Sequence, residues 1–122
     1  HRTGATNAEG LGMVFQDWGL PTPLALRQLR PLLGKAILIA SGGLRTGVDM
    51  VKAMVLGASL CGMALPFLAP ARESTAAVIA TIERIRREFR TAMFLLGQRK
   101  ADALVANESL LATTSGDCGQ TL

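Results

Sequence analysis

The chain has 122 residues, which is enough for one small domain and too few for two. Hydrophobic residues make up 49% of it and charged residues 18%, so we expect a packed core and exclude a wholly disordered chain. A formal net charge of +4 would allow an anionic partner, but aromatic residues are only 4%, which argues against a nucleic-acid binder that stacks bases.

The first predicted elements are a loop, a helix and a strand. Residues 1–22 are rich in glycine and predict a loop. Thr22 and Pro23 have the form of a helix N-cap and its first residue, so we expect a helix over about 23–33. The apolar run 36–40 predicts a buried strand of the kind found in parallel sheets.

The next elements complete a βαβ unit. Thr46 and Asp49 have the spacing of a capping box, which predicts a helix that ends near Gly57 and makes Asp49 a cap rather than a catalytic carboxylate. A second buried strand is expected over 59–64, where Leu65 and Pro66 stop it. Because glycine and proline interrupt the uncharged stretch 53–71, we expect no membrane span there.

A long amphipathic helix is predicted over about 71–96 and a short one over 100–106. The arginines of the long helix alternate with glutamates, which is typical of a solvated face rather than a nucleic-acid contact. Residues 107–122 are predicted to be a flexible tail.

Two parallel strands leave unpaired edges, so we expect further strands to complete the sheet. Tandem βα units match the repeat of a TIM (β/α)8 barrel, which needs about 250 residues. The chain also begins with His1 rather than Met, and its start resembles a cut. We therefore expect an α/β fold in which residues 23–106 form the C-terminal, last two βα units of such a barrel.

The cysteine content points to a reducing compartment and a cytoplasmic protein. Cys61 and Cys118 are too few for a disulfide framework or a four-ligand zinc site, and Cys61 lies in an apolar run. No grouping of Cys, His and carboxylates has metal-ligand spacing, and no nucleophile lies beside a base. We therefore assign neither a metal-binding nor a catalytic residue.

The strongest chemical signal is the segment 41–47, between a strand and a helix start. Its glycines allow a close backbone approach to a ligand, free N–H groups at the helix start favour an anion, and Arg45 adds a positive charge. Residues 62–66 expose backbone N–H groups after the next strand, and in barrels the loops after strands seven and eight often share one phosphate site. Together, the segments 41–47 and 62–66 predict a phosphate-binding site. The alternative is that their glycines serve only tight turns and packing.

Several spaced motifs carry a family resemblance. They are FQDWGLPT at 15–22, ASGGLRTGVD at 40–49, LGA at 56–58, GMALPFL at 62–68 and AMFLLG at 92–97. In this order they resemble the C-terminal part of type 2 isopentenyl-diphosphate isomerases. The similarity runs from about residue 9 to 106, and it covers only the last third of that enzyme.

The resemblance implies a flavoprotein of isoprenoid biosynthesis that interconverts isopentenyl and dimethylallyl diphosphate. It implies FMN as the acid–base cofactor, NADPH to reduce it, Mg²⁺ to hold the diphosphate, and a homo-oligomeric full-length enzyme. By position, the FMN phosphate would be held mainly by backbone N–H groups of Gly42, Gly43, Leu44, Arg45, Ala64 and Leu65. The family's substrate-binding and metal-binding residues lie outside this chain, so we expect the chain alone to be inactive.

Two other interpretations stay open. Related FMN barrels such as 2-hydroxy acid oxidases share the Gly-Gly-x-Arg-x-Gly-x-Asp segment, but they usually have Gly-Arg-Pro after the last strand. Here Ala64, Leu65 and Pro66 occupy that place, which favours the isomerase. A non-catalytic fragment that binds phosphate or assembles with another subunit is the second alternative.

Overall fold

The computed structural model describes residues 14, 15 and 17–111 of the chain. Its elements, in chain order, are helix α1 (Thr22–Leu29), a 3-10 turn (Arg30–Leu32), strand β1 (Ile39–Ser41), helix α2 (Gly47–Val55), strand β2 (Leu60–Gly62), helix α3 (Leu65–Glu73), helix α4 (Thr75–Leu95) and 3-10 turns at Ala101–Leu104 and Glu108–Leu110. The chain is therefore α/β, and the predicted short helix over 100–106 is confirmed as a 3-10 turn. Most of the predicted N-terminal loop and of the tail lies outside the described residues.

The two strands form a parallel pair, which confirms the predicted βαβ unit. Ile39 pairs with Leu60, Ala40 with Cys61, and Ser41 with Gly62. Because the strands run in the same direction, their carboxyl ends lie at one edge of the sheet. The loop that leaves β1 and the loop that leaves β2 are therefore neighbours.

Helix α2 lies between two apolar clusters. One joins α1, β1 and α2 through the buried residues Leu26, Leu38, Ala40, Ala53 and Ala58. The other joins α2 to α4 and the 3-10 turns through the buried residues Val51, Met54, Val55 and Leu104. Since α2 contributes to both clusters, the helix start at Gly47 is held in place from two sides.

The strands are buried on one face only, so the expectation of fully buried strands is wrong for this structure. Ala40 is 1% exposed, whereas Ile39 and its partner Leu60 are 60% and 56% exposed. Side chains alternate across a strand, so the exposed pair lies on the face away from α2. No described element covers that face, as expected of a sheet that further strands complete.

The predicted long helix over 71–96 is in fact two helices. Ser74 has an extended backbone (φ −170°, ψ 162°), and its Oγ accepts a hydrogen bond from Ala77 N at 3.1 Å, which caps α4. Helix α3 differs from the prediction, in which Leu65 and Pro66 only end a strand; the structure shows that they begin a helix. Proline is tolerated in the first turn of a helix, where its missing N–H has no helical partner.

Helix α1 begins differently from the prediction. Pro21 is the N-cap, and the Thr22 side chain makes no cap hydrogen bond. The Thr22 hydroxyl instead donates to the carbonyl oxygen of Gly42 at 2.9 Å, so this contact replaces the predicted cap. Among the described residues, no helix is long and apolar enough to cross a membrane.

Candidate functional site

The loop that follows β1 depends on two consecutive glycines. Gly42 and Gly43 have φ angles of 97° and 75°, in the region that residues with a Cβ adopt rarely. A Cβ on Gly43 would meet no atom of the described residues within 4 Å, so they leave the space beside Gly43 open. The half-buried side chain of Leu44 packs against the α1–β1–α2 cluster and anchors the loop.

The start of α2 is already occupied by carboxylates, which corrects the prediction of free N–H groups there. Arg45 N and Thr46 N donate to Asp49 Oδ2 at 3.0 and 3.1 Å, and Asp49 N donates to Thr46 Oγ1 at 3.1 Å. This is a complete capping box, so the prediction of Asp49 as a cap is confirmed. Gly47 N donates to Glu88 Oε2 of α4 at 2.8 Å.

N–H groups without such partners lie closer to the strands. Within the described part of the chain, the N–H groups of Gly43 and Leu44 make no hydrogen bond. The same holds for Ala64 and Leu65 at the start of α3, where Ala64 provides no side-chain cap. Gly42 N makes no hydrogen bond there either, so five of the six residues that the sequence pointed to have an N–H without a partner in the described residues, and Arg45 is the exception. The register of Ser41 with Gly62 brings both groups to one sheet edge.

Arg45 can offer a ligand its side chain but not its backbone N–H, because that N–H already donates to Asp49. The guanidinium group is exposed and forms no ion pair with any residue that the structure describes. Arginine can bind a phosphate group through two parallel hydrogen bonds. The sheet edge therefore combines open backbone N–H groups with one available positive charge, and this set is suited to an anion.

Both carboxylates near the loop are stabilised in their charged form. Partial burial would raise the pKa of Asp49, but hydrogen bonds from Arg45 and Thr46, together with nearby Lys52, outweigh it and lower the pKa. The hydrogen bond from Gly47 lowers the pKa of Glu88; burial opposes this, and Arg84 reinforces it. Both negative charges are thus held at the start of α2 by hydrogen bonds from its backbone N–H groups.

Two contacts at this site join residues that are far apart in the sequence. Thr22 contacts Gly42 across 20 positions, and Glu88 contacts Gly47 across 41. Sequence reasoning missed both, because no local pattern links residues at such separations. Thr22 also helps to line a cleft of about 250 Å³ beside the loop, with Pro23, Leu26, Gly42, Gly43, Leu44, Asp49, Lys52, Ala53 and Leu56.

No group of three or more His, Cys, Asp or Glu side chains that could hold a metal ion is present among residues 14, 15 and 17–111. The burial of Cys61 raises the pKa of its thiol, which keeps it protonated at neutral pH.

Comparison with known proteins gives one family match. A family model described as FMN-dependent dehydrogenase matches residues 16–112 of this chain. The match includes both strands and the two loops at their carboxyl ends.

Curated relatives were also found. The isopentenyl-diphosphate delta-isomerase of Hydrogenovibrio crunogenus is 54% identical over 111 residues, which are 91% of this chain and 32% of that protein. The protein of the same name from Paracoccus zeaxanthinifaciens is 52% identical over 107 residues, 84% of this chain and 31% of that protein. A third, from Methanoregula boonei, is 51% identical over 87 residues, 71% of this chain and 24% of that protein. The chain thus spans about a third of the length of the first of these relatives.

Proposed function

This chain belongs to the FMN-dependent dehydrogenase family, and from that premise we propose that it forms the last two βα units of an FMN-binding TIM barrel. The parallel pair of strands with α2 between them is the repeating unit of such a barrel. The exposed Ile39 and Leu60 side chains would then face the barrel interior, where side chains from the other strands would cover them.

The whole protein, we propose, is an FMN-dependent isomerase that interconverts isopentenyl and dimethylallyl diphosphate in isoprenoid biosynthesis. The observation that carries this proposal is the 54% identity over 111 residues to a protein named isopentenyl-diphosphate delta-isomerase. Reduced FMN would supply the acid–base chemistry, with NADPH as its reductant and Mg²⁺ on the diphosphate. We place the protein in the cytoplasm as a homo-oligomer, and the ligands for NADPH and Mg²⁺ outside this chain.

The role we propose for this chain is to hold the phosphate of FMN. The N–H groups of Gly43, Leu44, Ala64 and Leu65 have no partner in the described residues, and they lie at the sheet edge where barrels bind their ligands. Arg45 would add a charged contact to the phosphate oxygens. The donors present therefore fit a phosphate dianion, and this chain's own part is to bind and orient it.

The Gly42 and Gly43 backbone supports this assignment. Two successive left-handed residues turn the chain sharply, and the open space at Gly43 lets a ligand approach the backbone. The Thr22 hydroxyl holds the Gly42 carbonyl in place from α1. The loop would therefore be set in its binding geometry before the flavin arrives, which lowers the entropic cost of binding.

The test compares FMN with riboflavin, which lacks the phosphate, in the intact protein. Gly43→Asp places a carboxylate beside the site at φ 75°, and we expect it to weaken FMN binding by at least about tenfold. Arg45→Ala should weaken FMN binding by about tenfold through the lost charge-assisted contact. Riboflavin affinity should change little in either variant. Gly19→Ala is the control, because a Cβ there meets no atom of the residues that the structure describes within 4 Å.

The reaction itself is tested with the same protein. We expect isopentenyl diphosphate to be converted to dimethylallyl diphosphate only when reduced FMN is present. Oxidation of a 2-hydroxy acid with reduction of the flavin would instead favour the related oxidases, whose Gly-Gly-x-Arg-x-Gly-x-Asp segment is present at residues 42–49. FMN affinity unchanged by both Gly43→Asp and Arg45→Ala would overturn the phosphate site.

A further inference from the structure

A side chain of α4 reaches the end of the proposed phosphate loop. Glu88 Oε2 accepts a hydrogen bond from Gly47 N at 2.8 Å, and Glu88 Oε1 accepts one from Arg84 Nη1 at 2.5 Å. Gly47 is the first residue of α2 and closes the loop that begins at Gly42. The carboxylate of Glu88 is thus held by Arg84 on one side and holds the loop on the other.

The backbones of α2 and α4 are packed closely at this point. A Cβ on residue 47 would clash with the backbone N of Phe89 and the backbone O of Ile85, and would lie 2.8 Å from the Glu88 Cβ. Gly47 has an ordinary φ angle, since it is not among the glycines with positive φ. Glycine is therefore required at this position for space and not for backbone conformation.

We infer that Glu88 is a positioning residue for FMN binding, which acts through Gly47 on the loop 42–47. This inference rests on the proposed function. One end of the loop continues from β1, whose register with β2 is fixed by backbone pairing, and the other end is fixed to α4 by Glu88. Glu88 therefore sets how the N–H groups of Gly43 and Leu44 are presented to the phosphate.

Glu88 also determines which N–H groups remain for the ligand. Together with Asp49, it takes the N–H groups of Arg45, Thr46 and Gly47, which would otherwise compete for the anion at the helix start. The phosphate is then left with the N–H groups at the strand ends. A shift of the loop by a fraction of an ångström would lengthen those hydrogen bonds, and hydrogen-bond strength depends steeply on geometry.

Two simpler roles give different results. Glu88 could be only the partner of Arg84 on a solvated helix face, as Glu83 is the partner of Arg86 at 3.5 Å on the same helix. In that case removing Glu88 would leave the FMN affinity as unchanged as removing Glu83 does. If its negative charge merely repelled the phosphate, its removal would strengthen FMN binding. If Glu88 positions the loop, its removal should weaken FMN binding, and a side chain that keeps an oxygen acceptor for Gly47 N should restore it.

The experiment measures FMN and riboflavin dissociation constants of the intact protein by quenching of flavin fluorescence. We expect Glu88→Ala to weaken FMN binding by about tenfold, because the loop loses a hydrogen bond to a charged acceptor. The riboflavin dissociation constant should stay within about twofold of the wild-type value, since riboflavin has no phosphate for the loop to hold. Glu88→Gln should restore most of the FMN affinity, because its amide oxygen can accept from Gly47 N.

Controls keep the outcome interpretable. Glu83→Ala should bind both flavins like the wild type. If Glu88→Ala does not fold, Glu88→Asp replaces it, because the shorter side chain keeps the charge but does not reach Gly47 N. In that variant, too, FMN binding should weaken while riboflavin binding stays constant.

The inference is overturned if Glu88→Ala, or Glu88→Asp in its place, binds FMN as well as Glu83→Ala does, binds FMN more tightly, or loses FMN and riboflavin affinity equally. Gly43→Asp separates this failure from failure of the proposed function. If Gly43→Asp weakens FMN binding and the Glu88 variants do not, the phosphate site stands and only the positioning role is wrong. If Gly43→Asp binds FMN like the wild type, the phosphate site is wrong and the inference falls with it.

Discussion

Substitution of Gly47 by alanine tests the packing that supports the candidate site. The new Cβ would clash with backbone atoms of Ile85 and Phe89, which belong to a helix of 21 residues and cannot rotate away as a side chain can. Relief requires α2 and α4 to separate, and overpacking of this kind costs about 1–3 kcal/mol. The separation would also stretch the 2.8 Å hydrogen bond from Gly47 to Glu88, which contributes a further ~1 kcal/mol.

We therefore expect Gly47→Ala to lower the free energy of unfolding of the intact protein by about 3 kcal/mol. Urea unfolding followed by circular dichroism measures this free energy. Its dependence on urea concentration should be the same in the variant and the wild type, so that the two values can be compared. Gly19→Ala is the matched control, because a Cβ there meets no described atom within 4 Å, and it should change the free energy of unfolding by less than about 0.5 kcal/mol. A Gly47→Ala protein as stable as the control would refute the close approach of the two helices.

Two further predictions concern the hydrogen bonds of the loop. Thr22→Val removes the donor to Gly42 O while keeping the shape of the side chain, and we expect it to weaken FMN binding by about three- to tenfold. Thr22→Ser keeps the donor and should bind FMN almost normally. Flavin titration measures both affinities. The lowered pKa values of Asp49 and Glu88 mean that their stabilising contribution is present above the ordinary carboxyl pKa, about 4, and is lost as the pH falls through the lowered values. The difference in unfolding free energy between the wild type and Asp49→Asn should therefore be largest near neutral pH and should shrink in acid; a difference that grows in acid would contradict this assignment.

The elements that local patterns define were predicted well. The capping box of Thr46 and Asp49, the glycine turn after β1 and the two parallel strands each follow from residues that are neighbours in the sequence. The signals are strong because each has one main physical cause: a side-chain acceptor for a helix N–H, a positive φ angle, or a short apolar run.

The errors arise where a residue has more than one possible partner. Thr22 has the sequence form of an N-cap, but its hydroxyl donates to the Gly42 carbonyl, 20 positions away. The N–H groups at the start of α2 seemed free because Glu88, which takes the one on Gly47, lies 41 positions away. Tertiary contacts decide these two cases, and a single sequence does not encode them locally. The break at Ser74 is different: the polar residues 72–75 and the cap that Ser74 provides to Ala77 N are local signals, which a single helix over 71–96 overlooks.

The most direct test of the account is a crystal structure of the intact protein with FMN bound. We predict phosphate oxygens at about 2.7–3.2 Å from the backbone nitrogens of Gly43, Leu44, Ala64 and Leu65, with the Arg45 side chain turned toward them. The hydrogen bonds of Asp49 and Glu88 to the start of α2 should remain unchanged. A flavin phosphate bound away from these two loops would contradict the account.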